Sequence, residues 1–318
     1  MAKYIGKRIL HAIPLILVIT ILCFVLIQFA PYNAVDAMTS PKMSKATVAL
    51  LKKRYGYNRP LYVQYLRWLQ GLCTGHFGYS ILTHASIANS LKARIPATIQ
   101  LVLPAYIAAL LLSVFLGMWA GMRRNHLADK IIDGLCSVGI AIPTFWFAML
   151  VIYLFGYRLN LFPLMGMHEV GLEGSLPDYL RHYAMPFLVL TVSFFPGFTR
   201  YIRASTIREM REEYVTVQRS FGRTKWQILR RHVSKNVLLP IVTMIGMDLP
   251  MLVTGAAITE TIFAWPGVGS YYVKAIRAMD YPIVMAILVL SSVFVIGGNL
   301  LADIVCCLID PRMKRAGA

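Results

Sequence analysis

Long apolar runs separated by bunched charges constrain this chain more than any other feature. Of its 318 residues, 58% are hydrophobic and only 14% are charged, which is far more apolar than a water-soluble domain of this size usually is. Runs of about 20 apolar residues match the hydrocarbon thickness of a bilayer. Because backbone groups in lipid must be satisfied internally, such runs fold as helices. The pattern predicts an all-α integral membrane protein.

The strong positive charge of the chain is explained by where the basic residues lie. The formal net charge is +18, yet no nucleic-acid-binding motif accompanies it, and nucleic acid is not an expected partner. Lys and Arg that flank apolar runs set the orientation of membrane helices and contact anionic lipid. Lys3, Lys7 and Arg8 precede a first apolar run that lacks a small-residue cleavage site. We interpret this run as a retained helix, not a signal peptide.

Six transmembrane helices with both termini in the cytoplasm satisfy the charges of the short loops. Pro143 predicts a kink in the third helix, and the pair Gly117 and Gly121 predicts close packing of the second. We expect the helices near residues 9–30, 98–121, 131–157, 185–207, 237–263 and 283–308. The implied division is 1–30 for the N-terminal tail and first helix, 31–94 for an extracytoplasmic segment, 95–308 for the transmembrane core, and 309–318 for a cytoplasmic tail.

The longest polar interval of the second half, residues 213–240, predicts two short helices around a hinge. Gly222 supplies a left-handed cap that ends the first helix. Thr224 and Gln227 have the spacing of a capping box that begins the second helix. The interval therefore has the sequence of a folded element.

The second of these short helices has an apolar face. Trp226, Leu229 and Val233 recur at helical spacing and predict one stripe. The basic residues of the interval place it in the cytoplasm. An amphipathic and basic cytoplasmic element is typical of a docking site for a partner protein, and a solvated connecting loop is the alternative.

The interval resembles the cytoplasmic "EAA" loop of binding-protein-dependent ABC importer permeases, in the form of the dipeptide, oligopeptide and nickel branch. That branch has an acidic-Tyr-Val start, an Arg before a Gly, and a His-x-x-x-Asn-x-x-x-Pro tail. The chain departs from this pattern at Gln218 and Phe221. The resemblance continues at residues 142–146, 260–263, 266–269 and 280–282. The matching residues of the loop are Glu213, Tyr214, Val215, Arg219, Gly222, His232, Asn236 and Pro240.

The resemblance implies the type I ABC importer permease fold and a role in ATP-driven import. The implied partners are a second homologous permease, two ABC ATPase subunits, an extracytoplasmic substrate-binding protein and membrane lipid. The implied location is the plasma (inner) membrane of a bacterium or archaeon. Di- and oligopeptides are the leading solutes, with nickel, metal–chelator complexes and glutathione as alternatives. Residues 213–240, called the coupling segment below, would contact the ATPases through Glu213, Tyr214, Arg219, Gly222, Thr224, His232, Asn236 and Pro240.

The chain has no motif of its own for ATP chemistry. No Gly-x-x-x-x-Gly-Lys-Ser/Thr loop occurs in the sequence, so ATP and Mg are expected on the partner ATPases. No pair of catalytic side chains is apparent at membrane depth, and we predict no catalytic residue, cofactor or metal in this chain. A polytopic membrane enzyme is accordingly a weaker alternative.

Acidic residues within apolar runs are the informative polar positions, because a mid-membrane charge costs at least about 2.5 kcal/mol. Asp248 lies deepest, and pathway lining and a helix-to-helix hydrogen bond are equally consistent with its position. Glu260 is a second candidate for the pathway, with snorkelling to the interface or capping of the 266–269 turn as the alternative. An ion-coupled secondary transporter could use both residues for protons, but six helices without a repeat are few for that class.

Overall fold

The computed structural model describes residues 2–29, 43–55 and 58–309, and this part of the chain is helical. Its only strand-like pairing is an isolated antiparallel bridge between Tyr79 and Ser86. Most of the predicted tail at 309–318, and residues 31–42, 56 and 57 of the predicted external segment, lie outside the described residues. The helices are α1 (Ala2–Gln28), α2 (Lys45–Tyr55), α3 (Leu61–Cys73), α4 (Ile87–Met122), α5 (Leu127–Ala141), α6 (Thr144–Val151), α7 (Leu176–Glu209), α8 (Glu213–Ser220), α9 (Lys225–Ile228), α10 (Ser234–Asp248), α11 (Met251–Thr254), α12 (Ala257–Ile262), α13 (Val268–Arg277) and α14 (Tyr281–Ile309).

Three of the described helices are long and apolar enough to cross a bilayer, namely α4, α7 and α14. A fourth span is possible if α5 and α6 are counted together, since their combined length and composition pass the same test. The apolar part of α1, Leu10–Leu26, is shorter. The structure thus confirms an all-α protein with membrane-spanning helices, whereas six spans and the four-part division of the chain stay predictions.

The third predicted helix is broken, not merely kinked. α5 and α6 are bent by 98° at the break. The ring of Pro143 disfavours the helical conformation of the residue before it, and Ile142 is extended at φ −82° and ψ 120°. A π-helical segment, Ile152–Arg158, then continues α6. The interruption predicted at Pro143 is confirmed, but it is a break between two helices instead of a kink within one.

The fifth predicted helix, residues 237–263, is also wrong as a single element. A continuous helical path runs from α9 through a π-helical segment, Leu229–Val233, and into α10. It ends before Pro250, and a second break follows at Gly255, whose φ is +74°. A Cβ at Gly255 would lie 2.7 Å from the Gly269 backbone nitrogen, so the chain can approach α13 there only with glycine.

The second predicted helix begins earlier than its apolar run. α4 starts at Ile87 because the Ser86 side chain accepts a hydrogen bond from the Asn89 backbone N–H at 3.5 Å, which is a serine N-cap. At 36 residues, α4 is about 54 Å long at 1.5 Å per residue, which exceeds the hydrocarbon core of a bilayer. Its two ends therefore extend beyond that core.

The most extensive helix pairing in the described part is between α4 and α7. Gly117 and Gly121 of α4 face α7, where a Cβ would lie 2.9 Å from Ile202 Cβ at the first position and 2.7 Å from Thr206 Cβ at the second. The Thr199 hydroxyl also donates to Ser113 Oγ at 2.9 Å across the pair. The predicted close packing through these glycines is confirmed.

We expect Gly121→Ala to destabilise the protein, because its new Cβ would overlap Thr206 and the two helices would have to separate. Overpacking of this kind costs about 1–3 kcal/mol. Gly134→Ala in α5 is the matched control, since no atom lies within 4 Å of its added Cβ. The check is the midpoint of thermal unfolding in detergent, which should fall for Gly121→Ala and stay level or rise for Gly134→Ala. Equal midpoints would contradict the packing account.

Candidate functional site

The coupling segment begins as a helix, a glycine turn and a second helix. α8 ends at Ser220, and Gly222 follows with φ +74°, the left-handed conformation predicted for it. The Gly222 N–H donates to the Arg219 carbonyl at 2.9 Å, which closes the turn. At the start of α9, the capping box between Thr224 and Gln227 is present in both directions. No atom lies within 4 Å of a Cβ built at Gly222, so its left-handed backbone is what requires glycine.

One face of the coupling segment belongs to the protein core. Its buried apolar side chains join a cluster with residues of α4 and α7. Trp226 was predicted to share this face but is 52% exposed, and Ile228 is buried instead. Of the predicted stripe, only Leu229 and Val233 are buried. The cluster contains Tyr106, Phe198, Ile202, Val215, Ile228, Leu229, Val233, Val237 and Ile241.

The opposite face of the coupling segment carries large apolar side chains that are exposed. Phe221, directly before the glycine turn, is 75% exposed, and Val217 and Trp226 are exposed beside it in sequence. The surrounding positions are also exposed and largely charged, including Glu213 at the start of α8 and the basic residues Arg219, Lys225, Arg230, Arg231 and Lys235. An apolar group with a charged rim is the composition of a protein-binding surface.

A polar network ties the ends of the coupling segment to α7. Glu209, near the end of α7, accepts hydrogen bonds from the Tyr214 hydroxyl at 3.0 Å and from Asn236 Nδ2 at 2.9 Å. Burial and then the Glu209 hydrogen bond raise the pKa of Tyr214 to about 12, so its hydroxyl remains a donor. The structure brings two predicted residues together here. It adds Glu209, which sequence spacing missed because a helix break separates it from Tyr214.

The two remaining predicted coupling residues have different environments. His232 Nε2 accepts a hydrogen bond from the Arg223 guanidinium, because arginine can only donate. This contact connects the glycine turn to the π-helical segment. Pro240 is half-buried inside α10 and lies away from the turn along the same continuous helix.

Asp248 lies at the end of α10 and contacts α4. Its Oδ2 accepts a hydrogen bond from the Tyr106 hydroxyl at 2.8 Å. Both residues line a small apolar cavity of about 120 Å³ together with Leu110, Ile245 and Leu252. The helix-to-helix hydrogen bond is therefore present in this structure, and a role for Asp248 in the pathway stays a prediction.

Glu260 is fully buried, with 0% of its surface exposed. Its Oε1 accepts from the Thr98 hydroxyl of α4 at 2.9 Å, and its Oε2 accepts from the Ser270 N–H of α13 at 3.0 Å. Thr98 Oγ1 in turn accepts from the Val268 N–H at 2.8 Å. The carboxylate thus occupies the N-terminus of α13, where backbone donors and the helix dipole favour negative charge. These contacts of Glu260 match the alternative in which it caps the 266–269 turn.

An ion pair that the sequence pattern did not predict joins α5 to α7. Asp129 is 1% exposed and accepts from Arg203 Nη2 at 3.0 Å and from the Asn125 N–H at 2.8 Å. Asp133 is more open, with its side chain 38% exposed and 3.8 Å from Arg203. The sequence does contain a signal for this pair, because an acidic residue stands at the start of one apolar run and a basic residue near the end of the next.

The described residues contain no group of three or more His, Cys, Asp or Glu side chains that could hold a metal ion. Within that part of the chain, Asp248, Glu260 and Asp129 contact hydroxyl groups, backbone N–H groups or arginine. These are arrangements that join helices to one another.

Comparison with known proteins identifies the class. Residues 113–315 match the family described as the binding-protein-dependent transport system inner membrane component. Residues 1–102 match the N-terminal family of the same transport system membrane component. The chain belongs to the binding-protein-dependent transport system inner membrane component family, and is a multi-pass membrane protein of that kind.

Individual relatives align over nearly the whole chain. It is 36% identical over 315 residues to the oligopeptide transport system permease protein AppB of Bacillus subtilis, covering 99% of this chain and 100% of that protein. Identity to the dipeptide transport system permease protein DppB of Lactococcus lactis is 31%, with 99% and 100% covered. Identity to the glutathione transport system permease protein GsiC of Salmonella paratyphi A is 28%, with 99% of each covered.

We expect Asp248→Leu to be more harmful than Asp248→Asn. Leucine leaves the Tyr106 hydroxyl without its partner, at a cost of about 1–3 kcal/mol, whereas asparagine still accepts its hydrogen bond. Asp248→Asn should assemble but transport at an altered rate. The measurements are thermal stability and transport, with Tyr106→Phe/Asp248→Leu as the control that removes both partners and should recover part of the lost stability. If Asp248→Leu is as stable and active as the wild type, both roles considered for Asp248 are wrong.

Proposed function

We propose that the chain is one of two permease subunits of an ATP-driven importer for di- or oligopeptides. Family membership supports the class of machine. Relatives named for oligopeptide and dipeptide transport support peptides as the solute, and one named for glutathione transport supports a solute of the same chemistry. The proposed partners are a second permease, two ATPases that bind ATP and Mg, and an extracytoplasmic binding protein that delivers the peptide.

The coupling segment is the proposed contact with the ATPases. The observation that carries this proposal is that one face of the coupling segment is buried and the opposite face is exposed. Val215, Ile228 and Val233 are buried against α4 and α7, while Phe221 and Trp226 are exposed on the side away from that cluster. A partner that binds the exposed side and moves can displace the helices on the buried side, because a packed core transmits displacement.

The proposed orientation follows from charge. The coupling segment carries six lysine and arginine residues between 219 and 235, and short loops rich in these residues stay in the cytoplasm. The C-terminal end of α4 packs near the segment through Met118 and Met122, which supports that end as cytoplasmic and the Ile87 end as external. Six spans with both termini in the cytoplasm complete the proposed topology.

The mechanism moves peptide without any covalent step in this chain. The binding protein releases peptide at the external end, between the two permeases. ATP-driven closure of the ATPases pushes on the exposed face of the coupling segment. That push reaches α4 and α7 through the buried cluster and changes which side of the membrane the cavity faces. Glu260 and Asp248 keep α13 and α10 attached to α4 during this motion.

We expect Gly222→Val to uncouple the importer. A β-branched residue in the left-handed conformation costs on the order of 1–2 kcal/mol, which is too little to unfold the helix bundle but enough to reorient α8 relative to α9. The variant should insert and bind the second permease, while ATPase co-purification and ATP-dependent peptide uptake fall at least several-fold. Uptake is measured in proteoliposomes without an ion gradient, a condition that also excludes a secondary transporter.

Gly222→Asn is the matched control, because asparagine tolerates the left-handed conformation and no neighbouring atom obstructs its Cβ. It should retain most of the coupling. Glu213→Arg should weaken coupling in the same direction as Gly222→Val, since it places a positive charge at the N-terminus of α8. Wild-type ATPase binding and uptake in Gly222→Val would mean that the segment is only a linker.

A further inference from the structure

The external end of α4 forms one wall of an open cavity of about 570 Å³. Ser90, Arg94 and Gln100 line this wall, and Met167 and Pro266 close the cavity from other segments. Arg94 is 28 residues from Met122 at the opposite end of α4, about 42 Å along the helix axis. The cavity is therefore separate from the coupling segment, at the end where the proposed topology admits solute.

The arginine in this cavity is held in place by an aromatic ring. The Arg94 guanidinium carbon lies 4.7 Å from the centre of the Tyr271 ring. A cation above an aromatic face is favourable. Tyr271, on α13, is itself half-buried against an apolar cluster that α4 and α13 share. The guanidinium is thus oriented before any ligand arrives, while its N–H groups retain unused capacity to donate.

The nearby carboxylates are already committed to other partners. Glu260 is fully buried against Thr98 and the Ser270 N–H. Asp280 is 2% exposed and accepts from the Ser80 hydroxyl and the Ile81 N–H. Among the described residues, no carboxylate forms an ion pair with Arg94. Its positive charge therefore faces the cavity without a neutralising group from the described part of the chain.

We propose that Arg94 binds the carboxylate of the transported solute in this cavity, with Ser90 and Gln100 as further polar contacts. The guanidinium fork matches a carboxylate in two parallel hydrogen bonds. Non-polar wall residues such as Ala93, Met167 and Pro266 can accept an apolar side chain beside it. This assignment rests on the proposed function as a peptide importer, and it adds a selective contact within the permease.

The test is a charge series at Arg94 in the complete importer, reconstituted with its own ATPases and binding protein. Peptide uptake should fall in the order wild type, Arg94→Lys, Arg94→Gln, Arg94→Glu, with about a tenfold loss for the glutamine variant. The complex should still assemble, with at most a small loss of thermal stability from the missing contact with Tyr271. Lys92→Gln and Lys92→Glu are matched controls, because Lys92 is an exposed cation near Arg94 on α4 that does not line the cavity.

A peptide pair separates carboxylate binding from other roles of Arg94. One peptide has a free C-terminal carboxylate and the other a C-terminal amide, chosen so that the binding protein binds both, which is measured first. Arg94→Gln should lower uptake of the carboxylate peptide and leave uptake of the amide unchanged. Equal losses of uptake for both peptides would overturn the assignment, also where they come from a raised KM for the loaded binding protein. No loss for either peptide would overturn it as well. A wild-type importer that moves neither peptide with ATP would instead contradict the proposed function.

Discussion

α4 and α7 meet where Gly117 and Gly121 present no side chain of α4 to Ile202 and Thr206 of α7, and the regions with proposed functions are built on this pair. At one end, the buried face of the coupling segment packs in one cluster with Met122 of α4 and Ile202 of α7. At the other end, α4 carries the wall of the cavity that Arg94 lines. Because the two helices pack closely, we expect a displacement at one end to reach the rest of the bundle.

Buried polar groups supplement this packing by fixing which helices stay together. Glu260 joins α12, α4 and α13 through the Thr98 hydroxyl and the Ser270 N–H, and Asp129 joins α5 to α7 through Arg203. Each is nearly or fully inaccessible, so loss of its partner would leave a buried charge unpaired, which is strongly unfavourable. The acidic residues of the apolar helices thus hold the bundle together, as the alternatives of capping and helix-to-helix bonding require.

The sequence was most informative where local chemistry decides the conformation. Apolar runs predicted α4, α7 and α14, and the left-handed Gly222 and the Thr224 capping box followed from spacing alone. Prediction failed where tertiary contacts decide. Trp226 is exposed while Ile228 is buried, the chain breaks at Gly255 to approach α13, and Glu209 meets Asn236 from a distant position. None of these three features follows from the pattern of residues that are adjacent in the sequence.

Site-specific cross-linking between the coupling segment and the ATPases tests the central claim most directly. In a variant whose five native cysteines are replaced, single cysteines at Phe221 and Trp226 are treated with a short bifunctional thiol reagent in the assembled complex. The account predicts cross-links from both positions to ATPase subunits that change in yield with ATP, and none from Leu172, which is exposed in the loop before α7. Absence of ATPase cross-links at Phe221 and Trp226, or cross-links there to the binding protein, would contradict it.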